Sequence, residues 1–461
     1  MAFKTPGVYI EEISKFPPSV AEVETAIPAF IGYTEKASLS TADDLLRVPF
    51  RIKSLLEYET FFGGPPEQAD IQVTVVDDVP VSAAIASTGA PSDFRMYYAL
   101  QMFFLNGGGP CYIISVGSYS DTIQKNRLDS IGDTANSILG GLQIVQKVDE
   151  VTLLLFPDAN ALGGAEYYDL YNEALAQCED LQDRFTIIDL KREDAGILVP
   201  DTPIDFFRDE IRSEGEFTRY GAAYWPWLET TLTFNEGTLS FVDENGPYAG
   251  DTTSNAFQAQ VQQVLGRLRI EMPPSSAVAG IYAFVDSTRG VWKAPANVSV
   301  SGIVGPTLKI NNEEQEDLNV TSTGKSVNAI RSFTGKGTLV WGARTLAGND
   351  NEWRYVPVRR FFIMVEESVK KATEPFVFEP NDANTWAKVK AMIENFLLLQ
   401  WRAGALAGAK PEDAFFVKVG LGETMTSLDI LEGRLIVEIG MAAVRPAEFI
   451  ILKFSHKMQV S

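Results

Sequence analysis

The chain has 461 residues, is 45% hydrophobic and 22% charged, and carries a formal net charge of −22. That length exceeds one ordinary core, so two or three domains are expected, while the acidity argues against nucleic acid and anionic membrane as partners. Two cysteines, Cys111 and Cys178, make no disulfide framework, and with a single histidine, His456, a catalytic triad, a Cys-His pair or a His-rich metal site would have to use that one residue, leaving a carboxylate-only or lysine-based enzyme open.

The opening Met-Ala-Phe-Lys-Thr-Pro-Gly lacks the apolar stretch of a signal peptide, and no apolar run reaches membrane-spanning length. The chain therefore reads as made in the cytoplasm without signal-dependent export. Charge is unevenly spread: from Thr338 onward 15 basic and 15 acidic residues balance, leaving 24 basic and 46 acidic in the first 337. This suggests one part packed among partners and another facing solvent.

Residues 1–25 form an arm: a Pro6-Gly7 turn, a short extended piece through Val8, Tyr9 and Ile10, then Pro17-Pro18, which cannot be helical. Residues 26–34 read as the first buried strand. A strand at 48–52 and a helix at 54–61 end at Gly63-Gly64-Pro65-Pro66. Residues 67–92 are polar and β-branched, as in an inserted hairpin. Residues 93–106 follow a 3.6 period through Phe94, Tyr97, Leu100 and Phe104, and 111–117 is a buried strand.

Strand and helix then alternate. Strands are expected at 151–157, 185–190, 221–225 and 277–286, and helices at 165–182, 205–214 and 254–270. Apolar strands separated by helices predict a parallel sheet covered on both faces. Residues 228–253 interrupt this pattern and read as an antiparallel hairpin with its tip at Asn235-Glu-Gly237, a surface decoration.

From 356 to 372 the pattern is helical. Residues 376–378 read as extended. Asn381-Asp-Ala-Asn384 caps a helix with Trp386, Val389, Ile393, Phe396, Leu397 and Trp401 on one face. Strands follow at 413–420 and 434–440. The last strand, 448–456, follows the Arg445-Pro446-Ala447 turn. Phe449, Ile451 and the Lys453 stem alternate with Ile450, Leu452 and Phe454, so both faces are apolar and need a cover. Such a strand pairs at home or donates itself to a neighbour.

Few side chains suggest chemistry. Gly107-Gly108-Gly109 follows a helix and precedes a strand, the reverse of a phosphate-binding order. Asp158, Asp189, Glu193 and Asp194 sit at the carboxyl ends of expected parallel strands, where α/β enzymes place their sites. Arg359, Arg360, Lys370, Lys371, Lys388 and Lys390 flank two helices and could form a basic face for an acidic partner.

Several stretches, in order from end to end, resemble the contractile tail sheath family. They are Thr5-Pro-Gly-Val-Tyr-Ile-Glu-Glu12, residues 272–286, Arg289-Gly-Val-Trp-Lys-Ala-Pro-Ala-Asn297, Leu339-Val-Trp-Gly-Ala-Arg-Thr345, Tyr355-Val-Pro-Val-Arg-Arg360, Phe376-Val-Phe-Glu-Pro380, residues 429–433 and Arg445-Pro-Ala-Glu-Phe449. The resemblance implies an α/β fold: a subtilisin-like three-layer α/β domain without that protease's catalytic residues, a smaller α+β C-terminal domain, and extended N- and C-terminal β-strand arms. It implies an N-terminal arm at 1–25 and an N-terminal part of the body at 26–120, with an insertion at 67–92. An outer domain follows at 121–337 with a hairpin insertion at 228–253, then a C-terminal domain facing a tube at 338–447 and an arm strand at 448–461.

The implied job is structural and non-enzymatic, with no cofactor and no metal: a helical sheath of stacked hexameric rings around an inner tube protein. Baseplate and terminal cap proteins and sheath paralogues are the other implied partners, with no nucleic acid and no membrane anchor. Assembly would occur in the cytoplasm, and action in a released particle or virion tail. Arm exchange would use Val8, Tyr9, Ile10 and Phe449 to Phe454, with hinges at 13–26 and 445–447. A hydrolase on the same fold and a static shell or surface-layer subunit are the alternatives. Phage tail, tailocin and extracellular injection system are not separated by the residues.

Overall fold

The computed structural model describes residues 20–86, 90–125, 137–192, 202–212 and 216–452. The chain divides into two compact units, a larger one of residues 24–363 with 445–461 and a smaller one of residues 364–444 with 1–23. Each is built around its own elements.

The larger unit is organised by a nine-stranded sheet. Its middle six strands run parallel in the order Val327–Phe333, Gly221–Trp225, Phe185–Asp189, Leu153–Leu155, Pro28–Thr34 and Cys111–Ser118. Register places Ala29 opposite Tyr112 on one side and Leu154 on the other. Antiparallel strands close both edges, Phe50–Ile52 beside Cys111–Ser118 and Gly337–Val340 beside Val327–Phe333, with Val298–Ser299 outermost at the latter edge.

Alternation along the Pro28–Thr34 strand shows the layers. The Phe30 ring lies 5.3 Å from Phe103 of helix Met96–Leu105. Its neighbour Ile31 points the other way, where a Cβ on Gly141 of helix Ile138–Val145 would come within 2.4 Å of it. Helix Ser275–Arg289 packs with the first of these helices, and helix Gly164–Leu181 bonds to the second through Gln177 Nε2 and the Leu142 carbonyl at 2.8 Å. Helices therefore cover both faces of the sheet, as parallel strands apolar on both sides require.

Residues 277–286, expected to be a strand, are the heart of the Ser275–Arg289 helix. The residues from Ser275 to Tyr282 are all buried, so the run has no polar face to betray a helical period, and a short apolar run alone does not distinguish strand from buried helix. Gly280 is needed because a Cβ there would sit 2.4 Å from the Phe103 carbonyl oxygen. Gly280→Ala is therefore expected to lower stability by about 1–3 kcal/mol despite the better helix propensity of alanine. A shift of the urea midpoint to lower concentration checks this.

One of the two insertions also departs from expectation. Residues 67–92 do contain a hairpin, Ile71–Val76 paired with Val79–Ile85. Residues 228–253 do not form the expected hairpin with its tip at 235–237; a shorter one pairs Leu239–Asp243 with Gly246–Pro247. Leu228–Thr230 joins a separate three-stranded sheet with Glu271–Met272 and Ile303–Pro306. Leu239–Asp243 runs parallel to Ile71–Val76, and Asn235–Glu236 to Glu67–Gln68. Helix Asn255–Leu265 caps this composite, and Ile71, Val73 and Val75 share a small core with Phe257, Val261, Val264 and Leu265. Strands from the segments 26–120 and 121–337 interleave in one sheet.

The smaller unit centres on helix Ala383–Arg402, which buries Val389, Ile393, Phe396 and Leu397. Asp382 caps it, accepting from the Asn384 and Thr385 amides at 2.9 and 3.0 Å. Strands Phe415–Lys418 and Glu438–Met441 form a two-stranded antiparallel ladder, shorter than the expected 413–420 and 434–440. Residues 376–378 are not a strand: Glu374–Phe376 is a 3-10 turn and Phe378 has φ of 71°.

Candidate functional site

Two of the four carboxylates that could have suggested catalysis, Asp158 and Asp189, are engaged in local structure. Asp158 accepts from the Tyr33 amide at 2.7 Å, the Arg95 amide at 2.5 Å and the Met96 amide at 3.2 Å. It ties a sheet strand to the N-terminus of the next helix, and Gly32 leaves room for it. Asp189 accepts from the Ser275 amide at 2.8 Å and the Ser275 hydroxyl at 2.6 Å, capping helix Ser275–Arg289. Both side chains thus satisfy helix-terminal donors that would otherwise be orphaned. Glu193 and Asp194 lie outside the described residues. Gly107 has φ of 96°, and the Gly108 amide returns to the Phe103 carbonyl at 2.9 Å, a helix stop rather than a phosphate cradle.

Burial pushes the Asp189 carboxyl up to about 7 against the pull of its Ser275 bonds, from an ordinary 3.8. The folded protein then holds a proton that the unfolded chain releases, so this group's contribution is full below about 3.8 and is lost as pH rises through 7. The stability difference between the wild type and Asp189→Asn should therefore change with pH, on the order of 1 kcal/mol per unit between about pH 5.5 and 7. Urea denaturation across that range measures it; a constant difference would contradict the assignment.

The termini are held differently. Glu448, near the end of the described chain, sits in an ionic clamp of the larger unit. Arg344 Nη2 donates to its Oε2 at 2.6 Å and Nε to its Oε1 at 3.0 Å. Asn319 Nδ2 donates to Oε1 at 2.6 Å and the Tyr355 hydroxyl to Oε2 at 3.1 Å. Burial raises the Glu448 pKa, but the Arg344 and Asn319 hydrogen bonds and the Arg344 charge outweigh it, leaving the carboxyl below its ordinary range. Arg344 is itself fixed from the sheet: Asn328, in strand Val327–Phe333, accepts from the Arg344 amide and donates to its carbonyl, both at 2.8 Å.

Directly after this clamp the chain changes character. Phe449, Ile450, Ile451 and Leu452 are 68–79% exposed. They form no ladder with any described strand. Neither face of this segment is covered by the described residues. Lys453 and Phe454 lie outside those residues, as do Val8, Tyr9 and Ile10.

A second clamp holds the N-terminal entry to the same unit. Arg360 Nη2 and Nη1 reach the two carboxylate oxygens of Asp286 at 2.6 and 3.0 Å, and Nη2 also donates to the Thr25 carbonyl at 2.8 Å. The Thr25 hydroxyl donates to Asp286 Oδ2 at 2.6 Å. The guanidinium lies 4.5 Å above the Tyr282 ring. In the smaller unit, the Val23 amide donates to Ser368 Oγ at 3.1 Å.

The six basic candidates for a partner face therefore separate. Arg360 is committed to its clamp. Arg359 is 2% exposed and stacks 4.5 Å from Trp353 and 5.0 Å from Tyr220. Neither is a surface residue of the unit: aromatic rings cover Arg359, and Asp286 and the Thr25 carbonyl hold Arg360. Lys370 and Lys388 are exposed, Lys371 and Lys390 half-exposed, all in the smaller unit. Lys370 pairs with Glu367 at 2.6 Å and Lys390 with Glu394 at 4.0 Å. The clamp residues Arg344, Asn319, Tyr355, Glu448 and Asp286 were not singled out by sequence reasoning. Four of them do lie inside the stretches that carried the resemblance, a signal read there as a family mark and not as a contact.

A scaffold whose buried charges hold helix ends and chain exits, and whose terminal segment is apolar and uncovered by the described residues, fits the class of assembly subunits. Comparison with known proteins names the class. Residues 217–346 match the phage tail sheath protein central domain, and residues 348–457 the phage tail sheath C-terminal domain. The chain belongs to the contractile tail sheath family. It is 30% identical to a chain of the sheath complex of an extracellular contractile injection system, PVC, in the contracted state, covering 99% of each chain with a TM-score of 0.66. It is 33% identical to the anti-feeding prophage helical sheath in the contracted state, covering 99% of this chain and 100% of that one, with a TM-score of 0.65. The tail sheath protein of Salmonella phage ViI is 22% identical over 405 residues, 85% of this chain and 58% of that protein. The chain thus spans little more than half the length of that curated relative.

Proposed function

We propose that this chain is a structural, non-enzymatic subunit of a contractile sheath, one that polymerises helically around an inner tube and is linked to its neighbours by exchange of terminal strands. The observation that carries this is the uncovered Phe449–Leu452 segment leaving a rigid ionic clamp. A neighbour's N-terminal strand, containing Val8, Tyr9 and Ile10, is its partner. The subtilisin-like character of the body fits its parallel sheet with helices on both faces.

Magnitudes favour a lattice over a pair. Roughly five ladder bonds at ~0.5–1.5 kcal/mol each, with partial burial of two or three apolar side chains, gain ~5–10 kcal/mol gross. Ordering about eight residues costs ~8–16 kcal/mol. One link is marginal, whereas many links reinforce each other through effective concentration. The chain crosses between its two units at 23/24, 363/364 and 444/445; the middle crossing runs through helix Val356–Thr373, and the outer two lie inside or beside the segments 13–26 and 445–447 expected to be hinges. Paired arms on such hinges let bodies rotate without losing their links, so energy stored at assembly in an extended lattice is released on contraction without nucleotide. Baseplate, cap and paralogous sheath proteins would bound this polymer, and the released particle is where it would act.

Micrographs of the chain assembled with its tube protein test the reading. Two lattice states, extended and contracted, are expected; one state only would mean a static shell. The exposed lysines of the smaller unit are the remaining candidates for gripping the tube. Lys388→Glu with Lys390→Glu is expected to uncouple sheath length from tube length in those micrographs. Unchanged extended particles would remove the two lysines from the tube face.

A further inference from the structure

Beside the C-terminal clamp lies a groove of about 710 Å³, whose lining includes Glu316, Val320, Arg331, Trp341 and Phe449. Its apolar surface is open: Val320 is 55% and Phe449 68% exposed, and Trp341 is half-buried against the Phe333 ring at 4.5 Å. Its cation is already held, since Arg331 donates to Gln315 Oε1 at 2.6 Å and Asn312 Oδ1 at 2.9 Å. Helix Asn312–Asn319 supplies the anions. Glu314 closes the capping box and Asp317 pairs with Arg208, but Glu316, which lines the groove, and Glu313, three residues before it on the same helix, have no ionic partner among the described residues. An occupant of this groove should carry positive charge and an apolar side chain.

The chain holds such a segment within reach. Phe449 lines the groove, and three residues later begins Lys453-Phe-Ser-His-Lys-Met-Gln-Val-Ser461, with two lysines, a phenylalanine and no acidic side chain. Nine residues span at most ~30 Å, enough to fold back. The N-terminal stretch fits worse, because Glu11 and Glu12 follow its apolar residues. Tethering raises the local concentration into the millimolar range, so even a weak contact is populated.

We propose that in the unassembled subunit this groove holds the chain's own residues 453–461, Lys453 and Lys457 facing Glu313 and Glu316 and Phe454 facing Trp341. The docked tail keeps the exchange strand from pairing until a neighbour competes for it. This rests on the strand-exchange reading above and adds a latch to it.

The test uses the full chain with Val320→Cys and Met458→Cys, the native Cys111 and Cys178 being buried. Mild oxidation of dilute subunits should give a fast-migrating intramolecular disulfide as the main species on a non-reducing gel. Adding Glu313→Lys and Glu316→Lys should cut its yield at least fivefold, and adding Lys453→Glu and Lys457→Glu to those should restore it. Without the cysteines, Glu313→Lys/Glu316→Lys should shorten the assembly lag several-fold. No crosslink, a crosslink formed only between chains, or a yield indifferent to charge would overturn the latch. An unchanged lag would do so too, while leaving strand exchange standing. Strand exchange fails separately, if a chain cut after Glu448 still assembles.

Discussion

Cutting the chain after Glu448 is expected to yield a folded subunit that stays monomeric under conditions where the intact chain forms tubes. The fold should survive because the clamp is complete at Glu448: both carboxylate oxygens are engaged by Arg344, Asn319 and Tyr355. Beyond it, the removed Phe449 to Leu452 contribute no pairing to any described strand and are largely exposed. Assembly should fail because those four side chains are the apolar part of the exchanged strand, worth roughly 1.5–3 kcal/mol each when fully covered. Spread over every subunit of a lattice, that loss cannot be recovered elsewhere. Denaturation midpoint and sedimentation give the two readouts. Tubes of normal length from the truncated chain would sink the strand-exchange reading; a lost fold would mean that the segment belongs to the subunit core.

Arg344→Ala is expected to be the most damaging single substitution among the clamp residues, lowering stability by about 3–5 kcal/mol. Arg344 is 4% and Glu448 19% exposed at the side chain, and removing one partner of a buried pair strands the other charge. Glu448→Gln should cost less, about 1–3 kcal/mol, because the amide oxygen still accepts from Asn319 or Arg344. The pH sign follows from the lowered Glu448 pKa. A depressed carboxyl contributes stability above its unfolded value of 4.5 and loses it as pH falls below that, through the folded value. Acidification should therefore narrow the gap between the wild type and Glu448→Gln. Denaturation at several pH values checks both statements, and a double substitution Arg344→Met with Glu448→Leu should recover part of the loss, since a well-packed apolar pair often replaces an ionic one.

The parallel sheet was legible in the sequence because its strands are apolar runs bounded by turn residues and separated by helices of recognisable period. The strands at 28–34, 111–118, 153–155, 185–189 and 221–225 all fall where that pattern put them. Residues 275–289 were not legible, since complete burial erases the amphipathic signal that distinguishes a helix. The insertions misled for another reason. Ile71–Val76 and Leu239–Asp243 are more than 160 positions apart, and no local pattern shows that they will lie side by side.

Local patterning thus decided the parallel strands of the sheet, the cap of helix Ala383–Arg402, and that the terminal segment is apolar on both faces. Those are short-range matters of period, turn chemistry and charge. Tertiary structure alone decided that Asp158 and Asp189 hold helix ends, that Arg359 and Arg360 turn inward, and that Arg344, Asn319 and Tyr355 meet on Glu448. Each of these depends on which distant residue arrives within 3 Å or so of a charge. Whether a charge is a site, a cap or a clamp is set by that arrival.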